Sequence, residues 1–317
     1  MELSEVRSLS EKIEANISQV LVGRDETIHM VVISLLCSGH VLLEDVPGVG
    51  KTMLAKCLAK SIDCEFKRIQ FTPDLLPSDL TGINFFDQKQ SEFIFRPGPL
   101  FSNIILADEI NRATPRTQAS LLECMEEGQV TVDGQTRKLK RPFFVIATQN
   151  PVETRGTFPL PEAQLDRFYM RLGMGYPSVD EGMEILRRFK NPDQPSVIST
   201  VASGEEICEA QAAIPSVMVS DAVQRYIVDI IEATRHDDSI SLGTSPRGSI
   251  ALMRAAQANA VLDGRNFVIP DDVKRTAVPV LAHRIIMRGH AINSSAEKAE
   301  STVNAIIKKV PVPTEEF

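Results

Sequence analysis

Residues 42–52 read Leu-Leu-Glu-Asp-Val-Pro-Gly-Val-Gly-Lys-Thr, a short apolar run followed by a glycine turn and the helical stretch Met53 to Ala59. A polyphosphate needs that arrangement. Gly48 and Gly50 let backbone N–H groups wrap the oxygens, and the helix N-terminus adds partial positive charge. Lys51 is placed to bridge the β and γ phosphates and Thr52 to ligate Mg²⁺. Pro47, Gly48, Val49, Gly50, Lys51, Thr52 and Met53 are therefore the candidate ATP contacts. The strict phosphate-loop pattern has glycine where this chain has Asp45, so the match is incomplete at one position.

A second apolar run, Asn103 to Ala107, ends in Asp108-Glu109. Asp108 would hold the Mg²⁺ shell, and Glu109 is placed to orient and deprotonate an attacking water, a group for which a small-molecule kinase has no use. Two solvated acids at a strand end are the bland alternative. Phe143 to Ala147 is another such run, followed by Thr148-Gln149-Asn150-Pro151. Asn150 either hydrogen-bonds the γ-phosphate or the lytic water, or forms only an Asx turn ahead of Pro151. Two arginines remain, Arg167 in Leu165-Asp166-Arg167-Phe168 and Arg247 in Ser245-Pro246-Arg247-Gly248. A planar guanidinium meets two oxygens of a transferring phosphoryl group, so an arginine supplied across an interface accelerates hydrolysis. Either could instead be a surface ion pair worth little.

The elements that must position these residues are legible from periodicity. Leu3, Val6, Leu9, Ile13, Ile17 and Val20 keep helical spacing, and Leu21 to Arg24 breaks it before a second helix that runs through Leu36. From Val41, apolar runs alternate with helical stretches: Val41 to Leu43, Phe66 to Ile69, Ile104 to Ala107, Phe143 to Ala147 and Tyr169 to Leu172. Strands so separated predict an α/β core with a buried, five-stranded, mostly parallel sheet. After Tyr176-Pro177 the strand signals stop. The expected division is an α/β nucleotide-binding core with N-terminal helices over residues 1–177 and a smaller all-α lid over 178–317. Ser220 is placed to cap a helix from Asp221, and Pro246 and Pro270 sit where helices begin.

At 317 residues, two domains are the natural expectation. A net charge of −8 argues against a chain whose main business is coating DNA or anionic membrane. The acidic opening, with Glu2, Glu5 and Glu11, lacks a signal-peptide pattern. The longest apolar run, Met30 to Cys37, is too short to span a bilayer, so direct membrane insertion is not expected and the cytoplasm is the expected compartment. Cys37, Cys57, Cys64, Cys124 and Cys208 form no C-x-x-C pair and read as structural thiols in a reducing compartment.

Together these motifs resemble the MoxR family of AAA+ ATPases over nearly the whole chain. Val22-Gly23-Arg24 is similar to the family's adenine-side motif, and its phosphate loops often read Glu-Asp-x-Pro-Gly, which accommodates Asp45. Glu109-Ile110-Asn111-Arg112-Ala113 and Leu160 to Phe168 are close to family signatures. The resemblance implies that Lys51 and Thr52 belong to Walker A and Asp108 and Glu109 to Walker B. It implies sensor 1 at Asn150, the arginine finger at Arg167 and sensor 2 at Arg247, with ATP and Mg²⁺ as ligands. Gly82 to Pro97 resembles the hairpin insert of this AAA+ branch, and Val130 to Gln135 a hairpin ahead of sensor 1; in related rings both reach toward the pore. Arg137, Lys138, Lys140 and Arg141 either contact an acidic client or are simply solvated. Thr72 is a candidate for coupling Glu109 to the client. The resemblance further implies a homo-oligomeric ring, a hexamer, acting as a chaperone on a client protein complex with a von Willebrand A domain protein. These 317 residues contain no such domain, so that partner would be another chain. The competing reading is a nucleic-acid-associated AAA+ motor, against which the acidic balance weighs.

Overall fold

The computed structural model describes residues 1–44, 48–149, 156–190, 198–289 and 295–313. Helices α1 (Leu3–Ser18) and α2 (Asp25–Leu36) come first, and α1 buries Val6, Leu9, Ile13 and Ile17 along one stripe. Then follow β1 (Val41–Glu44), α3 (Lys51–Ser61), β2 (Phe66–Gln70), α4 (Pro77–Thr81) and the hairpin β3 (Gly82–Asp87) and β4 (Glu92–Pro97). Next are β5 (Ile104–Asp108), α5 (Pro115–Glu127), the hairpin β6 (Gln129–Val132) and β7 (Gln135–Lys138), β8 (Phe144–Gln149), α6 (Glu162–Leu165) and β9 (Met170–Leu172). The five long-range strands make one parallel sheet in the order β2-β5-β8-β1-β9.

Strand alternation sends Val41, Leu43, Ile104, Leu106, Phe144 and Ile146 to one face, and Leu42, Ile105, Ala107, Val145 and Ala147 to the other. Both faces are covered, which is why these strands read as unbroken apolar runs. The second face packs under α4 and α5 and beside the hairpins. The first packs against α1, α2 and α3, and the same apolar cluster continues into the C-terminal helices.

Those helices are α7 (Val179–Lys190), α8 (Gly204–Ala213), α9 (Asp221–His236), α10 (Pro246–Leu262), α11 (Pro270–Leu281) and α12 (Ser295–Lys309). Ser220 Oγ accepts from Val223 N–H at 3.3 Å, as its position before α9 predicts. Pro246 and Pro270 open α10 and α11. The C-terminal part is not wholly helical, however: β10 (Ile240–Leu242) and β11 (Ile286–Met287) pair as an antiparallel ribbon. Strands of three and two residues are too short to carry a period-two pattern. Among the described residues no helix is long and apolar enough to cross a membrane. The five cysteines are free, and burial pushes the Cys37 and Cys124 thiols up to about 12, so neither is a nucleophile at neutral pH.

His40, at the entry to β1, supplies a pH dependence. Its Nε2 lies 3.0 Å from the Met125 carbonyl, and its Nδ1 accepts from Val145 N–H at 3.1 Å. The second bond requires an unprotonated Nδ1, and burial pushes the imidazole down to about 4. The unfolded chain binds that proton near 6.5, so stability is intact above pH 6.5 and is lost as pH falls toward 4. The loss from this residue is about 3 kcal/mol. Urea denaturation at pH 7 and pH 4 should show that loss in the parent and a correspondingly shallower slope in His40→Gln.

Candidate functional site

The phosphate loop leaves the carboxyl end of β1. Pro47 lies outside the described residues; Gly48 and Gly50 do not, and both have left-handed backbones (φ +89° and +102°). At Gly48 a Cβ would have no neighbour within 4 Å, so backbone there is open to an approaching phosphate. Val49 is half-buried. Lys51 and Thr52 form the first turn of α3, whose N–H groups face that loop, and Met53 is exposed beside them.

The acid pair ends β5, two strands away. Strand register puts Asp108 beside Thr148 of β8, and Thr148 in turn beside Leu43 of β1, so the ends of three strands share one edge. Thr148 Oγ1 donates to Asp108 Oδ1 at 2.6 Å and accepts from Glu109 N–H at 2.9 Å, which fixes the two acids relative to one another. Glu109 has a left-handed backbone (φ 56°, ψ 51°), a strained conformation for a residue with a side chain. That turn takes its carboxylate off the strand line to Gln70 Nε2 at 2.9 Å and Arg112 Nε at 3.1 Å. Gln70, the last residue of β2, is thus the side chain that holds Glu109 from that strand, and Thr72 lies two residues beyond it. Asn150, the next candidate on this edge, lies outside the described residues.

In the loop between α1 and α2, Val22 is half-buried and Gly23 exposed. A Cβ on Gly50 would stand 3.1 Å from Leu21 and 3.7 Å from Met174, so these two apolar side chains flank the phosphate loop. Arg24 donates to the Gly175 carbonyl at 3.0 Å, and a Cβ on Gly23 would run into the Glu181 carboxyl. The segment after β9 therefore closes over this loop.

Arg167 and Arg247 are not brought to that edge. Arg167 lies just before β9, where Tyr169 N–H donates to the His40 carbonyl at the start of β1. The length of β1, about 13 Å, separates it from the phosphate loop. Arg247, in the first turn of α10, is beside it: Glu126 accepts from Arg247 Nη2 at 2.7 Å and stands 3.3 Å from Arg167 Nε. A cavity lined by Glu123, Glu126, Glu127, Gln164 and Arg167 opens there.

The two hairpins form one unit. Asn84 Nδ2 donates to Asp133 Oδ2 at 2.7 Å, and the Arg137 guanidinium lies 4.0 Å from the Phe95 ring centroid. Ile83, Phe85, Phe86 and Phe93 remain exposed on β3 and β4. Of the basic run near β7, Arg137 is engaged by that ring and Lys140 by Glu65 at 3.1 Å, so neither is an unencumbered contact for a client.

Residues 40–170 match the family described as ATPase family associated with various cellular activities (AAA), and an AAA lid domain matches residues 232–309. The chain is 51% identical to the uncharacterized protein YeaC of Bacillus subtilis, covering 95% of this chain and 93% of that one. It is 37% identical to chaperone MoxR1 of Mycobacterium tuberculosis, covering 98% and 84% respectively. A crystal structure from Cytophaga hutchinsonii, 38% identical, superposes with a TM-score of 0.89 over 99% of this chain and 98% of that one. The chain belongs to the MoxR family of AAA+ ATPases.

As a MoxR-family ATPase it hydrolyses ATP to ADP and phosphate, and the residues fit a nucleotide with a divalent cation. Asp108 already accepts a cation, the Arg68 guanidinium at 2.5 Å, together with the Thr148 hydroxyl. The Asp108 side chain is 14% exposed and that of Arg68 49%, so the guanidinium could withdraw toward solvent if a metal took its place. Arg68, Gln70 and Thr148 were not anticipated from the MoxR motifs. Arg68 and Gln70 alternate outward along β2, a pattern that marks them as exposed but not as neighbours of β5. Leu21 and Met174 had a weak signal, one adjoining Val22 and the other just beyond a strand's carboxyl end.

Proposed function

We propose that this MoxR-family chain works as a homo-oligomeric ring, a hexamer, in which each hydrolytic site is shared by two subunits. Residues 1–177 form the core and 178–317 the lid. One subunit binds ATP through Val22, Gly23 and Pro47 to Met53, with Lys51 on the β and γ phosphates. Thr52 and Asp108 hold Mg²⁺, whose charge, when bound, offsets that developing on the phosphate oxygens. Glu109 orients and deprotonates the water, and Asn150 hydrogen-bonds it or the γ-phosphate. Arg167 and Arg247 come from the neighbouring subunit. One observation carries this reading: both arginines pair with Glu126 at the edge where β1 begins, whereas the phosphate loop leaves its other end. That separation, about the length of β1, favours supply of both arginines to a neighbour's nucleotide over supply to the chain's own.

The cycle drives remodelling or maturation of a protein complex, in keeping with the word chaperone in the mycobacterial relative's name; the cytoplasm as compartment and a von Willebrand A domain protein as separate partner follow from the family resemblance alone. The apolar hairpin β3–β4 is the surface we assign to the client. Turnover per chain is expected to rise with protein concentration and to level off where sedimentation shows rings complete, and to fall to baseline in EDTA. Turnover per chain that is flat from nanomolar to micromolar protein would remove the shared-site reading.

A further inference from the structure

Glu126 is the meeting point of a core arginine and a lid arginine. It lies in the last turn of α5, which Gly128 ends with a left-handed backbone (φ +61°). Its two carboxylate oxygens are divided between the two: Oε1 accepts from Arg247 Nη2 at 2.7 Å, and Oε2 stands 3.3 Å from Arg167 Nε. Two guanidinium groups gathered at one point repel each other. Arg247 also sits in the first turn of α10, where the helix dipole disfavours a cation. An acid is needed to keep the pair together, and Asp166 is placed for only part of the task. Its Oδ1 accepts from the buried Arg284 at 2.9 Å, and its Oδ2 lies 4.0 Å from Arg247. Asp166 is thus committed mainly to Arg284, and the shorter contacts to Arg167 and Arg247 both fall to Glu126.

We propose that Glu126 is a positioning residue for hydrolysis in the adjacent subunit: its carboxylate holds Arg167 and Arg247 as a pair, so that both meet one γ-phosphate across the interface. A guanidinium has five donors, so each arginine can keep Glu126 and still present N–H groups to a phosphate. The proposal rests on the shared-site reading above. It adds that the geometry of the arginine pair is set by α5 of the subunit that donates it.

The test uses mixed rings of the full chain. Lys51→Ala subunits have a disabled loop and intact arginines; Arg167→Ala subunits have the reverse, and a mixture of the two should recover turnover where one's loop faces the other's arginines. Lys51→Ala/Glu126→Gln subunits in the same mixture should recover about 10- to 100-fold less, with ring assembly and ATP affinity of the Arg167→Ala subunit unchanged. Glu126→Gln added to Arg167→Ala/Arg247→Ala should cost nothing further. Equal or greater recovery with Glu126→Gln present overturns the positioning role while leaving the shared site standing, and greater recovery would mean that Glu126 restrains the arginines. If the first mixture recovers nothing, the shared site fails and this proposal falls with it.

Discussion

Replacing Arg167 with alanine is expected to lower ATP turnover by about 10³- to 10⁵-fold while leaving nucleotide binding intact. The size follows from where charge develops. In phosphoryl transfer the negative charge of the transition state spreads over the equatorial oxygens, and a guanidinium held in a site that excludes water stabilises it far more than the ground state. Binding should be spared because Arg167 is about a strand's length from its own loop and, on the shared-site reading, would meet only the neighbour's phosphate. Arg167→Lys should recover little, since an ammonium cannot meet two oxygens in one plane. Phosphate release measured above the ring-forming concentration, beside titration with a fluorescent ATP analogue, checks both halves. A variant retaining more than a tenth of parental turnover would contradict the assignment.

Glu109→Gln is expected to lose about 10²- to 10⁴-fold in the hydrolytic step. The amide keeps the shape of the side chain, so contacts to Gln70 and Arg112 persist in modified form, but it cannot take the proton from water. The Thr148 bridge to Asp108 uses the backbone N–H of residue 109 and is untouched, so the Asp108 carboxylate stays where it is. The variant should therefore hold ATP without consuming it, which single-turnover quench experiments would show as persistent bound ATP. Proteins that co-purify with it in ATP but not in ADP would identify the client and partner. Rapid hydrolysis by this variant would transfer the base role to another residue.

Much of this architecture was legible because its signals are local. The three central strands, β1, β5 and β8, read as nearly unbroken apolar runs because both faces of the sheet are covered there, while the edge strands β2 and β9 carry Lys67, Arg68 and Arg171 and are marked by shorter apolar signals. The glycines, Lys51, Thr52 and the Asp108-Glu109 pair announce themselves by spacing within one turn. What escaped depends on which strands are neighbours. Thr148 lies 40 residues from Asp108 and bridges the acids only because β8 lies beside β5. Arg68 and Gln70 reach the acids only because β2 flanks β5 on the other side. Arg167 and Arg247 were recognisable as candidates, but their separation from the loop requires the register of β9 against β1. Glu126 had no signal, since a glutamate late in an amphipathic helix looks like any solvated acid.

The apolar cluster that unites the N-terminal helices, one sheet face and the C-terminal helices bears on how the chain does mechanical work. Val6, Ile13 and Ile28 belong to the same packed body as Leu252, Ala255 and Val273, so swinging the lid away from its own core would pull well-packed side chains apart. On the ring reading, the compliant places are then the contacts between subunits, while Glu126 and its two arginines, paired within one chain, move together with that chain. Chemical energy released at one site would leave as rotation of a stiff wedge against its neighbour, as stones shift in an arch, with little bending inside any stone.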